Sequence, residues 1–236
     1  GDVITYYLVA QDNVIPTPNI IASPSIGAAG YTTSPPAVST APSTLYSYTN
    51  LPSLAGVYTV GGAGVYPTIT AAINAYNTSC LSGAVTFLLL DAAYPSESYP
   101  IVINGNPFAS VVNTLTIKPN TGQNTVITGN DGTVLFKLNG ADYVIFDGSN
   151  NGTTSVNLTI TNTNAGTSAT VFWIASASVS DGATNNTIKN CSINGSGSTT
   201  GISGILAGSG TTFGGASLAS NSNNTVSGNI FKSFQN

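Results

Sequence analysis

Few side chains in this sequence can do chemistry. Of its 236 residues only 5% are charged, with four lysines, no arginine and no histidine. Among the carboxylates, the pair in the most suggestive setting is Asp142 and Asp147, which flank Tyr143-Val144-Ile145-Phe146. Two carboxylates facing each other across a sugar are the machinery of glycoside hydrolysis, at separations of about 5–10 Å. Five residues of extended strand would instead hold these two roughly 16 Å apart, at about 3.3 Å per residue. They therefore read as turn formers bracketing a buried strand, and Asp131 before Gly132 and Asp181 before Gly182 read the same way.

Other reaction classes lack their parts. Elimination from a uronic acid needs a strong base with cations or a metal beside the carboxylate, and a chain without arginine supplies these poorly. Imidazole-based triads are excluded by the absence of histidine. The loop Asp147-Gly148-Ser149-Asn150-Asn151-Gly152 gathers oxygens suited to calcium but holds a single carboxylate. Cys80 and Cys191 lack the close spacing of a zinc site, and are expected as two buried free thiols. Trp173, Tyr143 and Phe172 are the rings available for stacking on sugar, although Phe172-Trp173 reads as a core ring beside a surface ring. A net charge of −4 with scattered lysines gives no basic stripe for phosphates. The expectation is thus no catalytic residue, no metal ligand, no cofactor and no nucleic-acid partner.

The elements that would position these groups follow from the apolar pattern. The chain is 41% hydrophobic, enough for a packed core despite the low charge. Residues 1–12 alternate like a strand; their Tyr6-Tyr7-Leu8-Val9-Ala10-Gln11-Asp12 run resembles the last strand of an immunoglobulin- or fibronectin-like module, the alternative being an isolated edge strand added to the following domain. Residues 13–55 carry Pro16, Pro18, Pro24, Pro35, Pro36, Pro42 and Pro52 among Ser, Thr and Ala, a composition that favours an extended linker. Behind Thr68 as N-cap, Ile69, Ala72, Ile73 and Tyr76 fall at helical spacing. From Gly83 onward come short apolar runs ended by Asn or Gly: 85–90, 115–117, 134–136, 143–146, 158–160, 171–174 and 188–193.

Local repeats accompany those runs. Asn185-Asn186-Thr187-Ile188 returns as Asn223-Asn224-Thr225-Val226, and Asn157-Leu158-Thr159-Ile160 echoes Asn113-Thr114-Leu115-Thr116-Ile117. Repetition of this kind predicts a solenoid. In a parallel β-helix each short strand stacks on its counterpart one turn away, so apolar residues form an interior column and corners demand left-handed backbone that Asn and Gly tolerate. Stacked Asn amides can also bond in ladders. A β-sandwich remains the alternative, since Asn104-Gly105, Asn139-Gly140, Asn151-Gly152 and Asn194-Gly195 are hairpin-type dipeptides.

Residues 56–236 resemble the pectin-lyase-like right-handed parallel β-helix domains of very large exported proteins of the Bacteroidota. The resemblance rests on Tyr66-Pro67-Thr68-Ile69-Thr70-Ala71-Ala72-Ile73, on Leu115-Thr116-Ile117-Lys118-Pro119, on residues 138–148 and on Asn185-Asn186-Thr187-Ile188-Lys189-Asn190-Cys191. It implies an all-β solenoid with an N-terminal capping helix, export by an outer-membrane secretion route and a place at the cell surface. The expected role is a non-catalytic stalk, surface filament or gliding-type adhesin. A carbohydrate-binding or polysaccharide-degrading module is the alternative, and surface glycans and the secretion or anchoring machinery are the partners either role implies. The chain opens at Gly1-Asp2 without Met or a signal peptide, and is expected to be a segment of a larger protein.

Overall fold

A computed structural model describes residues 2–33, 35–197 and 203–234, which fall into two compact units, Gly1–Pro52 and Ser53–Asn236.

In the first unit the chain pairs as three antiparallel two-stranded ladders. Strand β1 (Asp2–Tyr6) pairs with β6 (Tyr46–Asn50), β2 (Leu8–Gln11) with β3 (Ile20–Ser23), and β4 (Ala29–Thr32) with β5 (Ala37–Thr40). The run expected as one strand over 1–12 is therefore two, split at Tyr7, and both find partners within the first fifty residues. The stretch 13–55, expected as linker, holds β3 to β6 and the start of β7. Its prolines lie outside the ladders: Pro16 and Pro18 between β2 and β3, Pro35 and Pro36 between β4 and β5. Proline lacks the ladder N–H and belongs at such turns, so a proline-rich composition is compatible with short hairpins as well as with an open linker. Ala22 and Pro42 are buried in this unit.

The second unit is a parallel β-solenoid of about five turns. After β7 (Ser53–Val60) and α1 (Ile69–Asn77), successive turns carry the chain round three sheets, with stacked partners of the first sheet 30, 29, 42 and 38 residues apart at Val85–Leu115, Leu115–Val144, Ile145–Thr187 and Thr187–Thr225. The first sheet stacks β7, β8 (Cys80–Leu89), β10 (Leu115–Pro119), β13 (Val144–Asp147), β16 (Thr187–Lys189) and β19 (Thr225–Ser227). The second stacks β11 (Thr125–Gly129), β14 (Leu158–Asn162), β17 (Cys191–Asn194) and β20 (Ile230–Lys232); the third stacks β9 (Ile101–Asn104), β12 (Val134–Asn139), β15 (Thr170–Ser176) and β18 (Ile205–Ser209). Every pairing in these sheets is parallel, which rules out the sandwich. The Asn-Gly pairs at 104–105 and 139–140 stack on one another rather than closing hairpins: Asn139 is the strand partner of Asn104, and the Gly105 N–H donates to the Asn139 carbonyl.

Alternation within each strand sends one set of side chains inward. Val85, Phe87, Leu115, Ile117, Val144, Phe146 and Ile188 line the first sheet's inner face, and Phe136 stacks on Phe172 at 5.7 Å between ring centres, with Phe146 edge-on to both. Helix α1 places Ile69, Ala72, Ile73 and Tyr76 in this core, with the Thr68 side chain accepting from the Ala71 N–H as N-cap.

Corners carry the sequence's Asn signature. Tyr143, Asn185 and Asn223 occupy equivalent positions and share φ of 56–57°, and Asn190 and Gly228 form a second left-handed corner. Two strand boundaries shift accordingly. Tyr143 leaves the expected strand for the corner, and the run 188–193 breaks at Asn190 into β16 and β17, which belong to different sheets.

Candidate functional site

Polar chemistry in the solenoid divides between groups spent on holding coils together and groups left facing solvent. Most of the candidates from sequence belong to the first kind. The Asp147 carboxylate is buried at the end of β13, where it accepts from the Ser149 N–H at 3.0 Å and the Asn190 amide at 3.1 Å and pairs with the Lys189 ammonium at 3.2 Å. Burial by itself would push this carboxyl up; those donors overcome it and hold it below the ordinary aspartate value. The neighbouring loop oxygens are engaged too. Asn151 Oδ1 accepts from Ser149, Thr153 and Ser155, and the Asn150 amide donates to the Gln123 carbonyl, so polar groups of the calcium-like run 147–152 are tied into hydrogen bonds within and beyond the loop. Asp131 caps its own turn, accepting from the Thr133 N–H and hydroxyl and from the Val134 N–H, as expected of a turn aspartate.

Of the rings, Phe172 is wholly interior. Trp173 lies on the outer side of β15, as the neighbouring position must, but residues 210–218 pass over it. Phe213 packs edge-on at 5.7 Å and Lys137 sits 4.9 Å over the indole while donating to the Gly210 carbonyl. The indole is 6% exposed, so the ring expected at the surface offers no stacking face. Tyr143 is half-buried at its corner. Both thiols are free; Cys191 is buried, whereas Cys80 is half-buried at the start of β8, contrary to the expectation of two buried thiols. Burial pushes the Cys191 thiol up to about 12.

A solvent-facing cleft brings Asp142 and Asp181 together. A cavity of about 250 Å³ is lined by Gly105, Asn106, Pro107, Gly140, Asp142 and Asp181. Asp142 is fixed by the Thr184 N–H, which donates to Oδ1 at 2.8 Å, and by the Thr184 hydroxyl. Asp181 is carried by the tight turn 178–181, whose Ala177 N–H donates to the Asp181 carbonyl. Its carboxylate presses against Gly140, where a Cβ would come within 2.5 Å of Oδ2 and where φ is +63°, so only glycine fits. Partial burial and the negative charge of Asp142 raise the Asp181 carboxyl above the usual aspartate range. Asp142 and Asp147, the pair singled out by sequence, are not brought together: one lines the cleft and the other is tied to Lys189. Sequence reasoning missed the partnership of Asp142 with Asp181 because the two are joined by coil stacking, one turn apart. The repeat offset of Ile145 onto Thr187 is the signal that places them in neighbouring turns.

Among the described residues no cluster of three or more His, Cys, Asp or Glu side chains is formed, and no helix is long and apolar enough to cross a membrane. No family model, curated protein or solved structure matches the chain.

Proposed function

We propose that the chain is a non-catalytic structural and adhesive segment of a large secreted cell-surface protein. The observation that carries this reading is the regular polar row on the outer face of the second sheet. Thr128, Thr161, Asn194 and Lys232 are successive strand partners, so their side chains recur about every 4.8 Å along the stack, and the Asn194 amide donates to the Thr161 hydroxyl. Such a row makes weak, repeated hydrogen bonds to a polymer, and strength comes from the number of copies. The stalk, filament or gliding-adhesin role, the right-handed hand of the coil, α1 as its cap, and export across an outer membrane rest on the sequence resemblance. Surface glycans are the partners of the polar row.

The Asp142–Asp181 cleft favours a second reading, a carbohydrate-binding or polysaccharide-degrading module, because two carboxylates in one cleft, with that of Asp181 raised above the usual range, are groups that acid–base cleavage of a glycoside can use. Incubation of the full chain with a panel of polysaccharides, polyuronates included, separates the two. Co-sedimentation without new reducing or unsaturated ends supports the adhesive reading. Product formation that is lost in Asp142→Ala or Asp181→Ala overturns it in favour of an enzyme.

A further inference from the structure

Asparagine followed by glycine occurs at 104–105, 139–140, 151–152 and 194–195, and the solenoid treats these pairs differently. In such a pair the side-chain amide carbon lies within reach of the next backbone nitrogen, and glycine, with no Cβ, leaves that nitrogen unshielded. Attack of the nitrogen on the carbon closes a five-membered imide. Three of the pairs are locked against it. Asn104, Asn139 and Asn194 are the last residues of β9, β12 and β17, so their backbone is extended and held by neighbouring coils. The attacking nitrogens are occupied as well: the Gly105 N–H donates to the Asn139 carbonyl, Gly140 to Ala175 and Gly195 to Lys232. The Asn139 amide donates to Asn104 and the Asn194 amide to Thr161.

Asn151-Gly152 lies instead in the exposed bends between β13 and β14. Among the described residues neither the Gly152 N–H nor the Asn151 amide nitrogen meets an acceptor. No atom lies within 4 Å of the place a Cβ on Gly152 would take, so the nitrogen stands open to solvent. The Asn151 carbonyl oxygen is the opposite case. Oδ1 accepts from the Ser149 hydroxyl at 3.0 Å, the Thr153 N–H at 3.1 Å, the Thr153 hydroxyl at 2.7 Å and the Ser155 hydroxyl at 3.0 Å. Donors gathered on a carbonyl oxygen stabilise the charge it takes up when a nucleophile adds to its carbon. Donors prefer the plane of the carbonyl, whereas a nucleophile approaches from above it, so they polarise the carbon without shielding it.

We propose that Asn151-Gly152 is a self-modification site, where the folded chain converts asparagine to aspartyl and isoaspartyl residues with water as the co-reactant. Hydroxide takes the Gly152 amide proton, the nitrogen's electron pair forms a bond to Cγ of Asn151, and Oδ1 receives the displaced pair among its four donors. The pair then returns, the bond from Cγ to Nδ2 breaks, and Nδ2 leaves as ammonia with a proton from water. Water next opens the imide at either carbonyl. Breaking the bond from Cγ to the Gly152 nitrogen leaves an ordinary aspartyl residue. Breaking the bond from the backbone carbonyl carbon leaves an isoaspartyl residue, whose main chain runs through Cγ and is longer by one methylene. Either product adds one negative charge to a chain of net charge −4 and puts a second carboxylate in the loop that follows Asp147. The proposal rests on the bonding of this loop and is independent of the adhesive reading.

The test incubates the full chain in mildly alkaline buffer, folded and in urea, and follows conversion at each of the four pairs by peptide mapping and mass spectrometry. In urea all four should convert at similar rates, since each has glycine next. In the folded chain Asn151 should convert at least as fast as in urea, while the other three fall about tenfold or more below their unfolded rates, because a backbone hydrogen bond has to open first. Thr153→Val, which removes one hydroxyl donor from an exposed position, should slow conversion at Asn151 by about threefold or more in the folded chain and leave the urea rate unchanged; the effect stays below the roughly hundredfold of a buried oxyanion donor because the loop is open to water. Ser155→Ala should act in the same direction. Folded-state conversion at Asn151 as slow as at the other three pairs overturns the proposal. Unchanged or faster conversion in both variants overturns it too, since the Oδ1 donors would then hinder the reaction or leave it alone.

Discussion

Replacing Asn186 with alanine isolates what one corner asparagine contributes. The side chain is 1% exposed and bonds to the Val144 N–H at 2.9 Å and the Ala141 carbonyl at 2.7 Å, and both of those residues are fully buried. Alanine leaves a donor and an acceptor without partners in the interior. Each such group costs about 1–3 kcal/mol, so Asn186→Ala should destabilise the solenoid by about 2–6 kcal/mol. The comparison is Asn164→Ala, which removes two bonds of similar length, Asn164 to Asn130 at 2.8 Å and Gly166 N–H to Asn164 at 2.9 Å, from an exposed stretch where water replaces them. A cost of less than about 1 kcal/mol is expected there. Urea unfolding followed by circular dichroism and by the fluorescence of Trp173 on β15 measures both. A loss below 1 kcal/mol for Asn186→Ala, or equal losses for the two variants, would refute the claim that interior amides hold the corners.

Three further outcomes follow from other contacts. Glu97 accepts from the Ile69 and Thr70 N–H groups and the Thr70 hydroxyl at the start of α1, so Glu97→Gln should cost about 1 kcal/mol in urea unfolding, through loss of charge at a helix N-terminus; an unchanged midpoint contradicts it. The Asp147 carboxyl is held below its ordinary value when folded, so its contribution is present above the unfolded value of about 3.9 and is lost as pH falls from there through the depressed folded value. Asp147→Asn should therefore lower stability at pH 7 and lessen the further loss between pH 5 and pH 2, as read by thermal unfolding across pH; a parallel pH profile for the two proteins refutes this. A disulfide reagent should titrate one thiol quickly in the folded chain, at half-buried Cys80, and the second only on unfolding, because Cys191 is buried and its thiolate is disfavoured; two fast thiols would contradict the packing.

Much of the solenoid was legible because its signals are local. The apolar runs alternate, the helix has its N-cap and its 69, 72, 73, 76 stripe, and the Asn185-Asn186-Thr187 repeat marks one turn of the coil. What the runs do not encode is where a strand bends into the next sheet. Asn190 in mid-run and Tyr143 at the head of one both adopt left-handed backbone, and for Tyr143 no composition rule announces it. The first unit was misjudged for the opposite reason. Its prolines suppress a strand reading although they lie between the strands rather than in them. The cleft was illegible from spacing along the chain, since Asp142 and Asp181 meet only through stacking of successive turns, and Asp147 drew attention through a proximity in sequence that extended backbone undoes.

Hydrogen exchange in the unmodified chain tests the central claim, a parallel coil stack tied by corner asparagines, most directly. The N–H groups of Val144, Ala183, Asn186 and Cys191, received by asparagine side chains of the following coil, should exchange only with global unfolding, while that of Gly152, which meets no acceptor among the described residues, exchanges near the rate of an open peptide. Fast exchange at the first four, or equal protection at all five, would contradict the account.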